Sequence, residues 1–85
     1  MIIIDTREQY EYEMGHVESA INISPMELMR GLPTQLNGVP KDEQIVLYCR
    51  SGQRSNTCSM ILRQYGFTKL VNGINEQHVR KMIQA

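Results

Sequence analysis

At 85 residues, with nine basic and nine acidic side chains that cancel, the chain has room for one domain, residues 1–85, and no charge bias toward nucleic acid or an anionic membrane. A chain this short buries only about 60–65% of its unfolded surface, so its margin of stability is thin. No apolar run approaches the roughly 18 residues that cross a bilayer, so neither a membrane span nor a membrane partner is expected.

The opening Met1-Ile2-Ile3-Ile4 is an apolar run that ends at Asp5 and predicts a buried strand of a parallel sheet. It has no basic start and is too short for a signal peptide, which points to a cytoplasmic chain; a periplasmic chain relieved of its signal reads the same. Glu8–Met14 has room for one or two helical turns, stopped by Gly15. Ala20–Ile23 predicts a second short strand. Ser24-Pro25-Met26-Glu27 is a helix start with serine at the N-cap, proline at N1 and glutamate at N3. Leu28, Met29, Leu32 and Leu36 then share a face, and Gly31 and Pro33 divide that helix in two.

Asn37–Gln44 reads as a polar loop, and Ile45–Tyr48 as the central strand. From Arg54 the apolar positions Cys58, Ile61, Leu62 and Tyr65 recur at helical spacing up to Gly66. Lys69–Val71 predicts a short strand and Asn72-Gly73 a turn. Asn75 then caps a last helix with Val79, Met82 and Ile83 on one side. The six methionines are expected to fill gaps in the core. Alternating strands and helices imply right-handed crossovers, hence an α/β fold in three layers: a small parallel sheet of about four strands with helices on both faces. Reactive groups of such sheets lie beyond the carboxyl ends of the strands, where Cys49 and Asp5 both fall.

The most informative segment follows the central strand: Cys49-Arg50-Ser51-Gly52-Gln53-Arg54-Ser55. A cysteine opens a short polar loop that runs into a helix. The loop amides and helix dipole form a nest for negative charge, either a thiolate or an anionic substrate. This setting lowers a thiol pKa and makes Cys49 the candidate nucleophile. Arg50 and Arg54 bring positive charge, Gly52 answers a need for positive φ or close approach, and Ser51, Gln53 and Ser55 offer backbone N–H groups. Ser55 is also a helix-cap candidate. Cys58 falls on the helix's apolar face and reads as packing. Two cysteines nine positions apart are too few and too local for a disulfide scaffold. The two histidines, His16 and His78, lack ligand spacing, so no metal site is expected; His16 reads as a hydrogen-bonded structural residue.

Two segments together resemble the rhodanese family, in particular its minimal single-domain sulfurtransferases of the phage shock protein E type. Asp5-Thr6-Arg7, Glu11-Tyr12, Gly15-His16-Val17, Ala20 and Asn22-Ile23 resemble the family's D-x-R…E-[FY]-x-x-G-H-[IV]-x-x-A-x-[NH]-[IL] signature. The Cys49–Ser55 segment resembles its active loop. The resemblance implies ping-pong transfer: Cys49 takes the outer sulfur of thiosulfate as a persulfide, sulfite leaves, and cyanide, a small thiol or a protein thiol accepts the sulfur. It implies no cofactor, and it places Asp5 and Arg7 under the loop as a supporting pair. Cys49 to Arg54 is Cys-x4-Arg, one residue shorter than the Cys-x5-Arg cradle of cysteine phosphatases, which favours sulfur over phosphoryl transfer.

Three departures from the family accompany the likeness. The chain begins at what is normally the second strand, which exposes a sheet edge and suggests a monomer or a weak edge-mediated homodimer. Ser24 stands where proline is common. Around Asn72-Gly73-Ile74 only one glycine of the usual pair remains, and His78 lies near the usual place of a tryptophan. A second reading keeps the persulfide but makes the chain a carrier or regulatory module that hands sulfur to a partner protein.

Overall fold

The computed structural model describes residues 1–84. Four strands, β1 (Ile2–Asp5), β2 (Ile21–Asn22), β3 (Ile45–Cys49) and β4 (Leu70–Asn75), form one parallel sheet in the order β2-β1-β3-β4. Helices α1 (Gln9–Met14), α2 (Pro25–Arg30), α3 (Gln53–Gln64) and α4 (Glu76–Gln84) and a 3-10 turn at Thr34–Leu36 complete it. This is the three-layer α/β architecture expected from the alternation of elements. The sheet is buried on both faces, which is why β3 is apolar at successive positions rather than at every other one.

Each face has its own core. Ile4, Ile45 and Leu47 of the sheet meet Leu28 of α2, Leu36, and Cys58 and Leu62 of α3. On the other face Ile3, Val46 and Tyr48 meet Val17, Ala20 and Val79 of α4, with Tyr12 of α1 alongside. Burial of each large aliphatic side chain contributes roughly 1.5–3 kcal/mol, so two full cores offset the poor surface-to-volume ratio of a short chain. Ser24 accepts from the Glu27 backbone N–H at 3.3 Å, with Pro25 at N1, as the sequence predicts. Helix α2 stops at Gly31, and the 3-10 turn begins after Pro33.

Several expectations are corrected. The second strand contracts to Ile21–Asn22. Met29 is 67% exposed and leaves the face that Leu28 and Leu36 share. The methionines do not fill the core: Met1, Met14, Met26, Met29 and Met60 are all exposed, and Met82 is only half-buried. Asn72-Gly73 is no turn. It lies inside β4, where Leu47 pairs with Asn72 and Tyr48 with Ile74, leaving Gly73 as the extra residue of a β-bulge. A side chain has no room there: a Cβ on Gly73 lies 2.4 Å from Val79 Cγ2 and 2.9 Å from Val46 Cγ1. Gly73→Ala is therefore expected to destabilise the fold by about 1–3 kcal/mol through overpacking. Its urea midpoint checks this, and a wild-type midpoint would mean that the sheet–α4 contact yields freely.

The strand order positions the site. From β1 the chain moves outward to β2, then returns to the other side of β1 for β3 and β4. The topological switch point is between β1 and β3, where loops from neighbouring strands diverge and leave a crevice at the carboxyl ends. Asp5 pairs with Tyr48 in register, so Asp5 and Cys49 both stand at that crevice.

Candidate active site

Cys49 is the last residue of β3, and only 2% of it is exposed. The chain turns sharply after it, through Gly52 at φ +92°, a left-handed conformation that favours glycine, and enters α3 at Gln53. The turn points the Gly52 N–H at Cys49 Sγ, 3.1 Å away. Burial of the sulfur is the largest influence and opposes ionisation, but hydrogen bonds from Ser55, through its backbone N–H and its side chain, and from the Gly52 and Ser51 backbone N–H groups outweigh it and lower the Cys49 pKa to about 7. The Ser51 and Ser55 amides act on the sulfur with that of Gly52, while Gln53 starts the helix and is exposed. The Ser55 hydroxyl does not cap α3; it donates to Asn72 Oδ1 at 2.7 Å.

Cys58 behaves oppositely. It is wholly buried on the core face of α3, and burial, with a smaller push from Cys49, raises its pKa to about 12. Iodoacetamide is therefore expected to alkylate Cys49 alone in the native state, with a rate profile whose midpoint lies near pH 7. A midpoint in the ordinary thiol range, about 8.5, would show that the amide nest does not act on the sulfur.

The two loop arginines converge on one carboxylate. Glu11, buried on α1, accepts from Arg50 Nε at 2.8 Å, Arg54 Nη1 at 2.7 Å and Arg54 Nη2 at 3.3 Å. It also accepts the Glu8 backbone N–H at 3.0 Å, which closes the first turn of α1. Hydrogen bonding to Arg54 is the largest influence on Glu11; it overcomes burial and, with the Glu8 N–H and Arg50, lowers the Glu11 pKa to about 2. Arg54 is thus a brace between loop and α1, held protonated first by Glu11 and further by the charge on Cys49. Arg50 is more open, with 69% of its side chain exposed. Glu11 carries no sequence assignment beyond its signature position, and nothing local to it signals that it holds the distant loop.

Asp5 and Arg7 form the floor beside the loop. Arg7 donates from Nε and Nη2 to the Asp5 carboxylate at 2.7–3.1 Å and from Nη2 to the Gly15 carbonyl at 2.7 Å. Its hydrogen bond to Asp5 outweighs burial and raises the guanidinium pKa above its ordinary value. Tyr48 ties this pair to the central strand: its hydroxyl donates to Asp5 Oδ2 at 3.0 Å and accepts the Val17 N–H at 3.0 Å. Burial is the main reason that the Tyr48 phenol stays protonated. His16 is structural, as expected: its ring stacks on Tyr12 at 3.6 Å, and Nδ1 lies 2.8 Å from the Tyr12 carbonyl. His78 sits on α4, where its Nδ1 lies 2.8 Å from the Gly73 carbonyl.

Above the sulfur is an open cleft of about 470 Å³ lined by Arg7, Cys49, Arg50, Asn75, Glu76 and Gln77. Asn75 and Glu76, where β4 passes into α4, form a wall of this cleft; the sequence assigns Asn75 only to capping α4, where it accepts the His78 N–H at 2.8 Å, and leaves Glu76 without a role. Among the described residues, no three His, Cys, Asp or Glu side chains gather as metal ligands do. Nor is any helix long and apolar enough to cross a membrane.

Residues 1–76 match the model of the rhodanese-like domain. The chain is similar to the tRNA uridine(34) hydroxylase of Cronobacter sakazakii, with 38% identity over 71 residues, 81% of this chain but 20% of that protein. It therefore spans about a fifth of the length of the curated relatives it matches. Among solved structures, a rhodanese with anions from E. coli superposes with a TM-score of 0.77 at 28% identity, covering 91% of this chain and 88% of that one. An NAD-dependent persulfide reductase from A. fulgidus aligns at 0.67 and 31% identity, over 91% of this chain and 13% of that one. Matched along most of its length by the domain model and by these relatives, the chain belongs to the rhodanese-like domain family.

Proposed function

We propose that the domain is a sulfurtransferase that carries sulfane sulfur on Cys49 as a persulfide, taken from thiosulfate and passed to cyanide or a thiol. The observation that carries this reading is the Cys49 sulfur itself. It is buried, faces backbone N–H groups rather than a general base, and has a pKa of about 7 beneath an open cleft.

In the first step the Cys49 thiolate attacks the outer sulfur of thiosulfate. A sulfur–sulfur bond forms to Cys49, the sulfur–sulfur bond of thiosulfate breaks, and sulfite departs with its electron pair. In the second step the acceptor attacks the outer sulfur of the persulfide, and the Cys49 thiolate leaves. Charge balances in both steps with no proton transferred, so the site needs an anion nest rather than an acid–base pair. Arg50 spends its Nε on Glu11, and its terminal nitrogens have no hydrogen-bond partner among the described residues. They are the groups placed to draw the donor's sulfonate end. Arg54 and the Asp5–Arg7 pair hold the loop and floor in place.

A second reading is favoured by the breadth of the cleft and by relatives in which the matched stretch is a fifth of the protein. In it the same persulfide is handed to a thiol of a partner protein or of a neighbouring domain. Intact-mass analysis after thiosulfate exposure tests what both share. The expected result is a gain of about 32 Da, one sulfur, localised to Cys49 and removed by cyanide. No adduct on Cys49 in excess thiosulfate sinks the thiosulfate reading. Loading without turnover on small acceptors favours the carrier.

A further inference from the structure

We propose that Asn72, in the bulged strand β4, is a positioning residue that holds the Ser55 hydroxyl proton away from the Cys49 sulfur. Four hydrogen bonds carry the inference. The Asn72 side chain cannot turn over: its Nδ2 donates to the Gly52 carbonyl at 3.0 Å, and its Oδ1 accepts the Ile74 N–H at 3.0 Å. A flipped amide would set donor against donor and acceptor against acceptor at both contacts. Oδ1 therefore faces Ser55 Oγ, 2.7 Å away, and takes the one hydrogen that the hydroxyl has. What Ser55 presents to Cys49 Sγ, 3.6 Å distant, is a lone pair.

That orientation welcomes a thiol proton and offers nothing to a thiolate. For Ser55 to donate to the ionised sulfur it must first give up a short bond to Asn72. The amides of the loop then supply the stabilisation of the thiolate while Ser55 stays on Asn72, and the part of the lowering that the Ser55 hydroxyl can add is reached only when it leaves that bond. Asn72 stands in register with Leu47, immediately before the bulge, and beside Gly52 at the start of α3. The charged and titratable groups that also face Cys49 are Arg54 and Cys58 on α3, Arg50 on the loop, Arg7 just after β1 with its partner Asp5, and Glu76 on α4. Neither Asn72 nor Ser55 makes a hydrogen bond to any of them among the described residues, so substitutions at these two positions leave those charges in place.

The proposal deepens the persulfide reading, but its test measures acidity rather than turnover, so the two fail separately. The Cys49 pKa is read from the pH profile of iodoacetamide alkylation in four proteins: wild type, Asn72→Ala, Ser55→Ala and the double variant. Freed from Asn72, Ser55 turns to the sulfur, and Asn72→Ala lowers the pKa by at least about half a unit, roughly threefold in the ionisation constant. In the Ser55→Ala background the same substitution has no such effect, which separates the hydroxyl from any loosening of the loop. An equal shift in both backgrounds, or a rise that requires Ser55, overturns the proposal. Should Asn72→Ala not fold, Ser55→Ala alone decides. An unchanged or lower pKa supports the restraint, and a raised one shows that Ser55 already donates to the sulfur.

Discussion

Cys49→Ser is expected to reduce sulfur release from thiosulfate by at least about a thousandfold, the scale on which removal of a covalent nucleophile acts. The substitution is close to isosteric at a position that is 2% exposed, so the fold and the cleft remain. What changes is the atom. A serine hydroxyl does not ionise near pH 7 in an amide nest that brings a thiol to about 7, and oxygen does not form a stable counterpart of the persulfide. Cys58→Ser provides the control of opposite sign. Its sulfur is wholly buried among Leu62, Leu28 and Ile4 in one core, so a hydroxyl there costs stability, about 1–3 kcal/mol if it finds no partner, while the chemistry persists. Sulfite formation from thiosulfate and urea unfolding read the two variants. Full turnover in Cys49→Ser, or loss of turnover confined to Cys58→Ser, is incompatible with a Cys49 persulfide.

The parts of this architecture that are legible in the sequence are those set by local pattern. A parallel strand buried on both faces has to be apolar at successive positions, and Ile45-Val46-Leu47-Tyr48 is. Ser24-Pro25-Met26-Glu27 satisfies the exposed amides of a first helical turn from within four residues, and helix α2 begins there. The Cys49 loop is legible for the same reason, since strand, turn and helix are contiguous. What is not legible depends on neighbours distant in sequence. Asn-Gly is also a strong turn signal, and no local rule contains Val79 and Val46, whose methyl groups require a residue without a side chain at Gly73. Methionine count says nothing of which helix face each occupies, and five of the six face outward. Glu11 lies 39 and 43 residues from the arginines it holds, so its role becomes visible only when α1 and the loop meet at the carboxyl edge of the sheet.

Glu11→Gln is expected to destabilise the domain by about 1–3 kcal/mol at pH 7, the scale for hydrogen bonds to a charged group, here discounted because the arginine partners stay partly open to water. Glutamine keeps the shape and one acceptor oxygen, but it turns an NH2 toward guanidinium N–H groups and leaves Arg50 and Arg54 with no carboxylate between them. The pH dependence identifies the cause. Glu11 has a folded-state pKa of about 2, below the 4.5 of a free glutamate, so it binds a proton more readily in the unfolded chain. Its contribution is complete above pH 4.5 and is lost as the pH falls through about 2, where protonated Glu11 resembles glutamine. The difference between wild type and variant should therefore be widest at neutral pH and shrink steadily below pH 4.5, while the other carboxylates titrate equally in both and cancel. Urea unfolding of the two proteins between pH 7 and pH 3 measures it. A difference that stays constant with pH would mean that packing, not charge, links α1 to the loop. In that case Arg50 and Arg54 would owe their places beside Cys49 to something other than Glu11.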